Sequence, residues 1–219
     1  MLDAALGELM AVFDLGGPVV MLLLLVSVAT MAVVIYKLWQ FSAAHVGKHT
    51  ALTEAVEAWA MGDRTRARSA LDRSGSYLAP LVAEAFRARP DDKDRLQAMA
   101  ELRFARLEKG FRFLDTVAQL APLLGLFGTV LGMIQAFQAL QAAGAQVDPS
   151  ILAGGIWVAL LTTAIGLVIA MPTSMMHAWF ESRMDAERVV ADNFIMTALS
   201  PSGGTTGDAP DASLLPEHA

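Results

Sequence analysis

The 219-residue chain contains no cysteine. That excludes a disulfide framework, a thiolate nucleophile and any cysteine-ligated metal. Charge is also scarce, at 17% of residues against 55% hydrophobic, and aromatic residues make up only 7%. Asp, Glu, Lys and Arg are absent from three long stretches, 16–36, 116–144 and 151–180. Lys and Arg are further missing from residues 1–15 and from 145–150. No Gly-rich phosphate loop, metal cluster or Ser/His/Asp set stands out, so nothing points to an enzyme, a metal or a cofactor. The basic run Arg64, Arg66, Arg68 and Arg73 holds no aromatic residue and fits no nucleic-acid motif. A solvated face touching anionic lipid is the simpler account of it.

What is present is apolar and gathered. The mean hydropathy is +0.48, and the apolar residues lie in the uncharged runs rather than being spread as in a soluble core. Gly16–Tyr36 is 21 residues long and Ile151–Phe180 is 30; about 20 residues cross the hydrocarbon layer as a helix. The first run follows an acidic segment (Asp3, Glu8, Asp14) and is followed by Lys37 and Trp39 rather than a small-residue cleavage site. It therefore reads as a retained membrane helix and not as a signal peptide. The expected organisation is an arm over 1–15, membrane helices over 16–36, 116–140 and 151–178, a helical polar region over 37–115, a loop over 141–150, a helical extension over 179–199 and a disordered tail over 200–219.

Within the polar region, 51–60 reads as an amphipathic helix, 64–71 as a short basic helix and 77–88 as another short helix. Arg89-Pro90-Asp91-Asp92 breaks the chain, and Asp91 or Asp92 can cap the next helix. From Lys93 onward a helical pattern is expected to run through Gly110 straight into the second membrane segment as one long rod, an isolated glycine being tolerated. Pro149 is placed to open the third membrane helix. Fourteen of the 16 Lys and Arg lie in the polar region and two come after the third run. The positive-inside rule then sets the N-terminus outside and the polar region and C-terminus in the cytoplasm.

The second and third runs carry stripes of small residues: Ala121, Gly125, Gly128 and Gly132 on one, and Gly155, Ala159, Thr162 or Thr163, Gly166 and Ala170 on the other. Such stripes let helices approach closely in lipid. Gly125, Thr129, Gly132 and Ala136 share a helix face, so Thr129 places a hydroxyl among small residues. A membrane threonine either back-bonds to its own helix or lines a polar path; for Thr129, Thr162 and Thr163 both readings stand. Pro122 and Pro172 weaken their helices and serve as hinges or as static bends. His177 and Gln135 read as interfacial side chains. With no carboxylate or cation at depth, a protein of this kind would not relay protons alone.

The segments APLLGLFGTVLGMIQAF (121–137) and GGIWVALLTTAIGLVIAMP (154–172) resemble the MotA/TolQ/ExbB family of proton-channel subunits. Three spans with a large polar block between the first and second resemble the ExbB/TolQ branch. The resemblance implies an all-α membrane protein whose second and third membrane helices extend into the cytoplasm, with a helical cytoplasmic region between the first and second. It implies an inner-membrane homo-oligomer, a pentamer, in the lipid bilayer. Its partners would be an ExbD/TolR-like single-span protein carrying a membrane aspartate and a TonB- or TolA-like protein; no nucleic acid is involved. It assigns Thr129 and Thr163 to the pore lining, with Thr162 adding a hydroxyl where the branch commonly has alanine. Pro122 and Pro172 match prolines linked to movement, Met171 standing where isoleucine is usual. Gly125, Gly128, Gly132, Gly155 and Gly166 fall to helix packing. The family glutamate before the Ala-Leu of the third-helix motif is replaced by Val158. The function implied is conversion of proton motive force into work for TonB-dependent transport; the alternatives are a TolQ-like role in envelope integrity and a non-conducting scaffold, for which Val158 is the main argument.

Overall fold

The computed structural model describes residues 2–142 and 149–200, with side chains from Gly17 to Ala142, at Ser150 and from Leu152 to Ser200. The expectations for residues 143–148 of the loop and for 201–219 of the tail lie outside the described residues. Among the described residues the fold is entirely helical: α1 (Leu2–Ala43), α2 (Thr50–Ala60), α3 (Arg64–Asp72), α4 (Ala79–Ala85), a 3-10 turn at Pro90–Asp92, α5 (Lys93–Leu107), α6 (Phe111–Ala142) and α7 (Pro149–Leu199). Three helical segments are long and apolar enough to cross a membrane: Gly17–Ala43, Phe111–Ala142 and Leu152–Leu199. The chain is an all-α, multi-pass membrane protein.

Two compact units share these helices. The first, the membrane unit, takes Met1–Gln40 and Glu108–Met184; the second, the polar unit, takes Phe41–Leu107 and Asp185–Ala219. In the membrane unit α1 is interrupted at Gly17, whose backbone (φ 64°, ψ −164°) is open only to glycine, and Pro18 comes directly after it. From there Val19 and Leu23 of α1 join Val117 and Ala121 of α6 and Ile169 and Ala170 of α7 in one buried cluster. Around it, large apolar side chains stand exposed on all three helices, among them Leu25, Val28, Leu123, Leu126, Leu160 and Val168. A soluble protein would hide such a surface; lipid or further copies cover it in a membrane.

One expectation is corrected here. The chain does not run as a single rod from Lys93 into the membrane. Helix α5 ends at Leu107 and α6 begins at Phe111, because Gly110 takes a left-handed φ of 97° that an L-residue reaches only with strain. The new helix starts there, with the Leu114 amide donating to the Gly110 carbonyl. Helix α7 opens at Pro149 and continues for 51 residues, with a rise of about 1.5 Å per residue. Charges return only at Glu181, after an uncharged run already longer than the roughly 20 residues a bilayer core needs.

The polar unit is built from short helices that bury one stripe each, Leu52 and Val56 on α2, Ala67 and Ala70 on α3, Leu81 and Val82 on α4, and Leu96, Ala100 and Phe104 on α5. Asp63 caps α3 by accepting from the Arg66 amide, and Asp92 accepts from the Arg89 amide across the 3-10 turn. Asp92 thus caps its own turn. These two bonds use the ordinary preference of a short acidic side chain for orphan amides at a helix start.

Candidate functional site: the seam between the second and third membrane helices

Helices α6 and α7 approach closely enough that a methyl group would not fit between them. A Cβ built on Gly166 would lie 2.6 Å from the Ala121 carbonyl oxygen, and one on Gly125 3.0 Å from the Thr162 carbonyl oxygen. On Gly128 it would meet the Thr162 hydroxyl at 2.7 Å, on Gly132 the Ala159 Cβ at 3.1 Å, and on Gly155 the Ala136 Cβ at 2.4 Å. All five glycines singled out in the sequence therefore line one seam inside a single chain. Ala121, Ala136, Ala159 and Ala170 complete it, each 5% exposed or less. The choice left open in the third-helix stripe falls on Thr162, which is 2% exposed.

The three threonines have different partners. Thr162 Oγ1 donates to the Ala159 carbonyl at 2.7 Å, and the Gly125 carbonyl of the facing helix lies 3.2 Å away. It is a packing and crosslinking hydroxyl in the seam. Thr129 lies beside the seam, about 60° round α6 from its centre line at 100° per residue. It is half-buried and donates to its own helix, at the Leu126 carbonyl (2.6 Å). Thr163, next to Thr162, has a buried hydroxyl oxygen with no hydrogen-bond partner. In a setting without water such a group is under-satisfied and open to any polar group brought to it.

At one end of the seam lies an open cleft of about 560 Å³. Its wall includes Gly128, Gly132, Gly155, Thr162, Gln135 and Val158, with Gly17 and Pro18 from α1. Val158 thus stands on the cleft, in the position where the family resemblance places a glutamate, and Gln135 is exposed there. Both prolines lie inside unbroken helices, Pro122 in α6 and Pro172 in α7. Each leaves the carbonyl four residues earlier without its helical donor. His177 is mostly buried, its Nδ1 3.5 Å from a Glu181 carboxylate oxygen and its ring edge-on to Phe111. Among the described residues no group of three His, Asp or Glu side chains is arranged to hold a metal ion.

Two features of the structure were not singled out from the sequence. Lys37, at the close of the first apolar run, is 1% exposed. Its ammonium donates to Gln40 at 2.8 Å and faces the rings of Tyr36 and Phe111. In the polar unit, Glu187 is buried and accepts from His49 Nε2 (2.7 Å) and the Tyr77 hydroxyl (2.8 Å). His49 Nδ1 lies 3.0 Å from Ser76 Oγ. Burial alone would raise the Glu187 pKa; the bonds from His49 and Tyr77, with a further one from the Gly47 amide, outweigh it and hold the carboxyl below the ordinary glutamate value. A signal for Glu187 did exist. It falls on the apolar stripe of α7 with Ala191, Ile195 and Ala198, and a charge on a buried stripe calls for a partner.

The model of the MotA/TolQ/ExbB proton channel family matches residues 69–193. An ExbB homologue of the biopolymer transport type from Methanothermobacter thermautotrophicus is 34% identical over 128 residues, 55% of this chain and 45% of that one. An ExbB-like biopolymer transport protein of Synechocystis is 32% identical over 169 residues, 71% of this chain and 64% of that one. The Tol-Pal system protein TolQ of Haemophilus influenzae is 44% identical over 89 residues, 41% of this chain and 39% of that one. The chain thus spans between about two fifths and two thirds of the length of these relatives.

Proposed function

Because the chain belongs to the MotA/TolQ/ExbB proton channel family, we propose that it is an inner-membrane motor subunit that converts proton motive force into mechanical work for TonB-dependent transport. The observation that carries this reading is the state of Thr163: a hydroxyl buried without a partner, on a helix whose apolar run has no Asp, Glu, Lys or Arg. A hydroxyl does not titrate near neutral pH, so it does not carry the proton itself. It can accept a bond from a protonated carboxyl and donate one to the same carboxylate. In this reading the titrating group is an aspartate on the membrane helix of an ExbD/TolR-like single-span partner. Thr129 and Thr163 line its path, the Thr129 oxygen keeping an acceptor lone pair while its proton is held by Leu126. Thr162 sets the spacing of the two helices. Pro122 and Pro172 supply backbone weak points where the helices flex as the partner turns.

Several copies of the chain, a pentamer, enclose the partner, with the N-terminus periplasmic and the polar unit cytoplasmic. A TonB-like protein passes the movement to the outer membrane. Val158 removes the rim glutamate, so proton entry rests on the partner and on Gln135. The test is Thr129→Val and Thr163→Val in cells expressing the cognate partner. Loss of uptake with normal protein levels is expected; full uptake in both variants would leave the hydroxyl path without support and favour a non-conducting scaffold. The TolQ-like segment at 44% identity favours a second reading, a subunit of an envelope-integrity system with a TolA-like partner. Deletion separates the two: failure to grow on iron-siderophore marks the first, detergent sensitivity and cell chaining the second.

A further inference from the structure

In the polar unit a groove of about 330 Å³ opens between α2, α3 and α4. Its apolar wall is Trp59, Leu71, Ala83 and Phe86; its rim is Arg68, Arg87 and Asp72. The indole of Trp59 is clamped flat, with the Phe86 ring parallel to it at 4.1 Å and the Arg64 guanidinium 3.4 Å from its centre. The other arginines of this unit near the groove are engaged. Arg66 and Arg73 both bind Glu54 (3.2 and 3.0 Å), and Arg95 binds Glu84 (3.2 Å). Arg68 and Arg87 are exposed and have no ion-pair partner among the described residues. The groove therefore offers two uncommitted guanidinium groups over an aromatic and aliphatic wall, with the single opposing charge of Asp72. That combination suits a short acidic peptide with apolar residues.

We propose that residues 201–219 of this same chain dock in this groove. The end of α7 is already there: Trp59, which walls the groove, donates its indole N–H to the Ala198 carbonyl at 3.0 Å. The segment after Ser200 reads PSGGTTGDAPDASLLPEHA; it contains Asp208, Asp211 and Glu217, no Lys or Arg, and the apolar pair Leu214-Leu215. Asp208 lies eight residues past Ser200, a reach of up to about 28 Å. Tethering makes the docking intramolecular. Effective concentrations for such short linkers are on the order of millimolar, so a contact too weak to be seen between separate molecules is well populated within one. Asp208 and Asp211 pair with Arg68 and Arg87, and the leucines cover Leu71 and Phe86. The docked segment would fasten the end of α7 onto α2 and α4 by a salt-sensitive clasp.

The chain has no cysteine, so an introduced pair is unambiguous. In the full-length chain in its native membranes, Ala83→Cys with Ala212→Cys should form an intrachain disulfide about tenfold faster than the control pair Asp94→Cys with Ala212→Cys. Reversing the rim with Arg68→Glu and Arg87→Glu should bring the rate down to that of the control. Both arginines are exposed, and an unchanged thermal midpoint checks that the fold is kept. Equal rates for the two pairs overturn the proposal. So does a disulfide that forms only between mixed chains, which would make a second copy the occupant. A groove pair that reacts only after anionic lipid is stripped would assign the rim to lipid headgroups and overturn it as well. None of these readouts depends on proton flux.

Discussion

In the membrane unit α6 and α7 meet through atoms that carry no formal charge, with no room for an added Cβ: the Ala121 carbonyl faces Gly166, the Thr162 hydroxyl Gly128, and Ala136 Gly155. In the polar unit a buried carboxylate, Glu187, holds His49 and Tyr77 from segments more than 100 residues away. The difference comes from the solvent. Lipid tails are as apolar as leucine, so burying apolar surface gives no preference for helix over lipid, and association relies on close fit of small residues. In water the short helices gain from apolar burial, about 25 cal/mol per Å². They can then accommodate one buried charge, provided its hydrogen bonds are complete. Shape holds one unit, and in the other a satisfied ionic centre adds register to a hydrophobic core.

The comparison is broken most severely by Glu187→Ala. It leaves His49 and Tyr77 buried without their acceptor, and removal of one partner from a buried ionic set costs about 3–5 kcal/mol. The expected result is loss of the cooperative unfolding transition of the polar unit, read by proteolysis or by Tyr77 and Trp59 fluorescence, while the membrane unit persists in detergent. Gly166→Val is the matching lesion in the membrane unit. Its Cβ meets a backbone oxygen at 2.6 Å, and a carbonyl held in a helix cannot move aside, so α6 and α7 must part. Overpacking costs about 1–3 kcal/mol, and the upper end is expected here. Gly154→Val on the same helix has nothing within 4 Å and should change stability far less. Similar losses from both variants, measured by thermal unfolding in detergent, would mean that backbone propensity rather than fit decides.

How much of this was legible in the sequence depends on the range of the contact. The three spans and the small-residue stripes were, because charge exclusion and a 3.6-residue repeat are local properties. The phase of a stripe was not. Thr162 and Thr163 are one residue apart, both lie near the small face, and only the facing helix selects between them. Gly110 shows a different limit. A glycine in a helical pattern declares nothing about its own φ, and Gly110 takes the left-handed value at which one helix ends and the next begins. His49 and Glu187 are 138 residues apart, and no local rule joins them; the clue was only that a glutamate occupied an apolar stripe.

Acid sharpens the contrast further. Glu187 has a folded-state pKa below its ordinary value of 4.5. Its ionised form therefore contributes stability that is fully present above about pH 4.5 and is lost as the pH falls through the lowered native pKa. The polar unit should weaken progressively below pH 4.5, and Glu187→Gln should flatten that part of the profile. In the membrane unit the seam contains no ionisable group, so its packing should hold over the same range. A parallel loss in both units would show that something other than Glu187 governs the acid limb.

The smallest expected effects lie side by side on α7. Thr162→Val removes a hydroxyl that bonds the Ala159 carbonyl at 2.7 Å and lies 3.2 Å from the Gly125 carbonyl across the seam, and should cost about 1 kcal/mol. Thr163→Val replaces a buried hydroxyl that has no partner with a methyl group of nearly the same shape. Removing an unsatisfied group relieves its desolvation penalty, so in the isolated chain in detergent the change should be neutral or stabilising by up to about 1 kcal/mol. Of two adjacent threonines with the same substitution, only Thr162→Val should therefore lower the thermal midpoint. If Thr163→Val destabilises the isolated chain as much as Thr162→Val does, its hydroxyl is already bonded within one subunit. It would then not be free to meet a group brought by another chain, and the proposed proton path would lose its anchor on the third membrane helix.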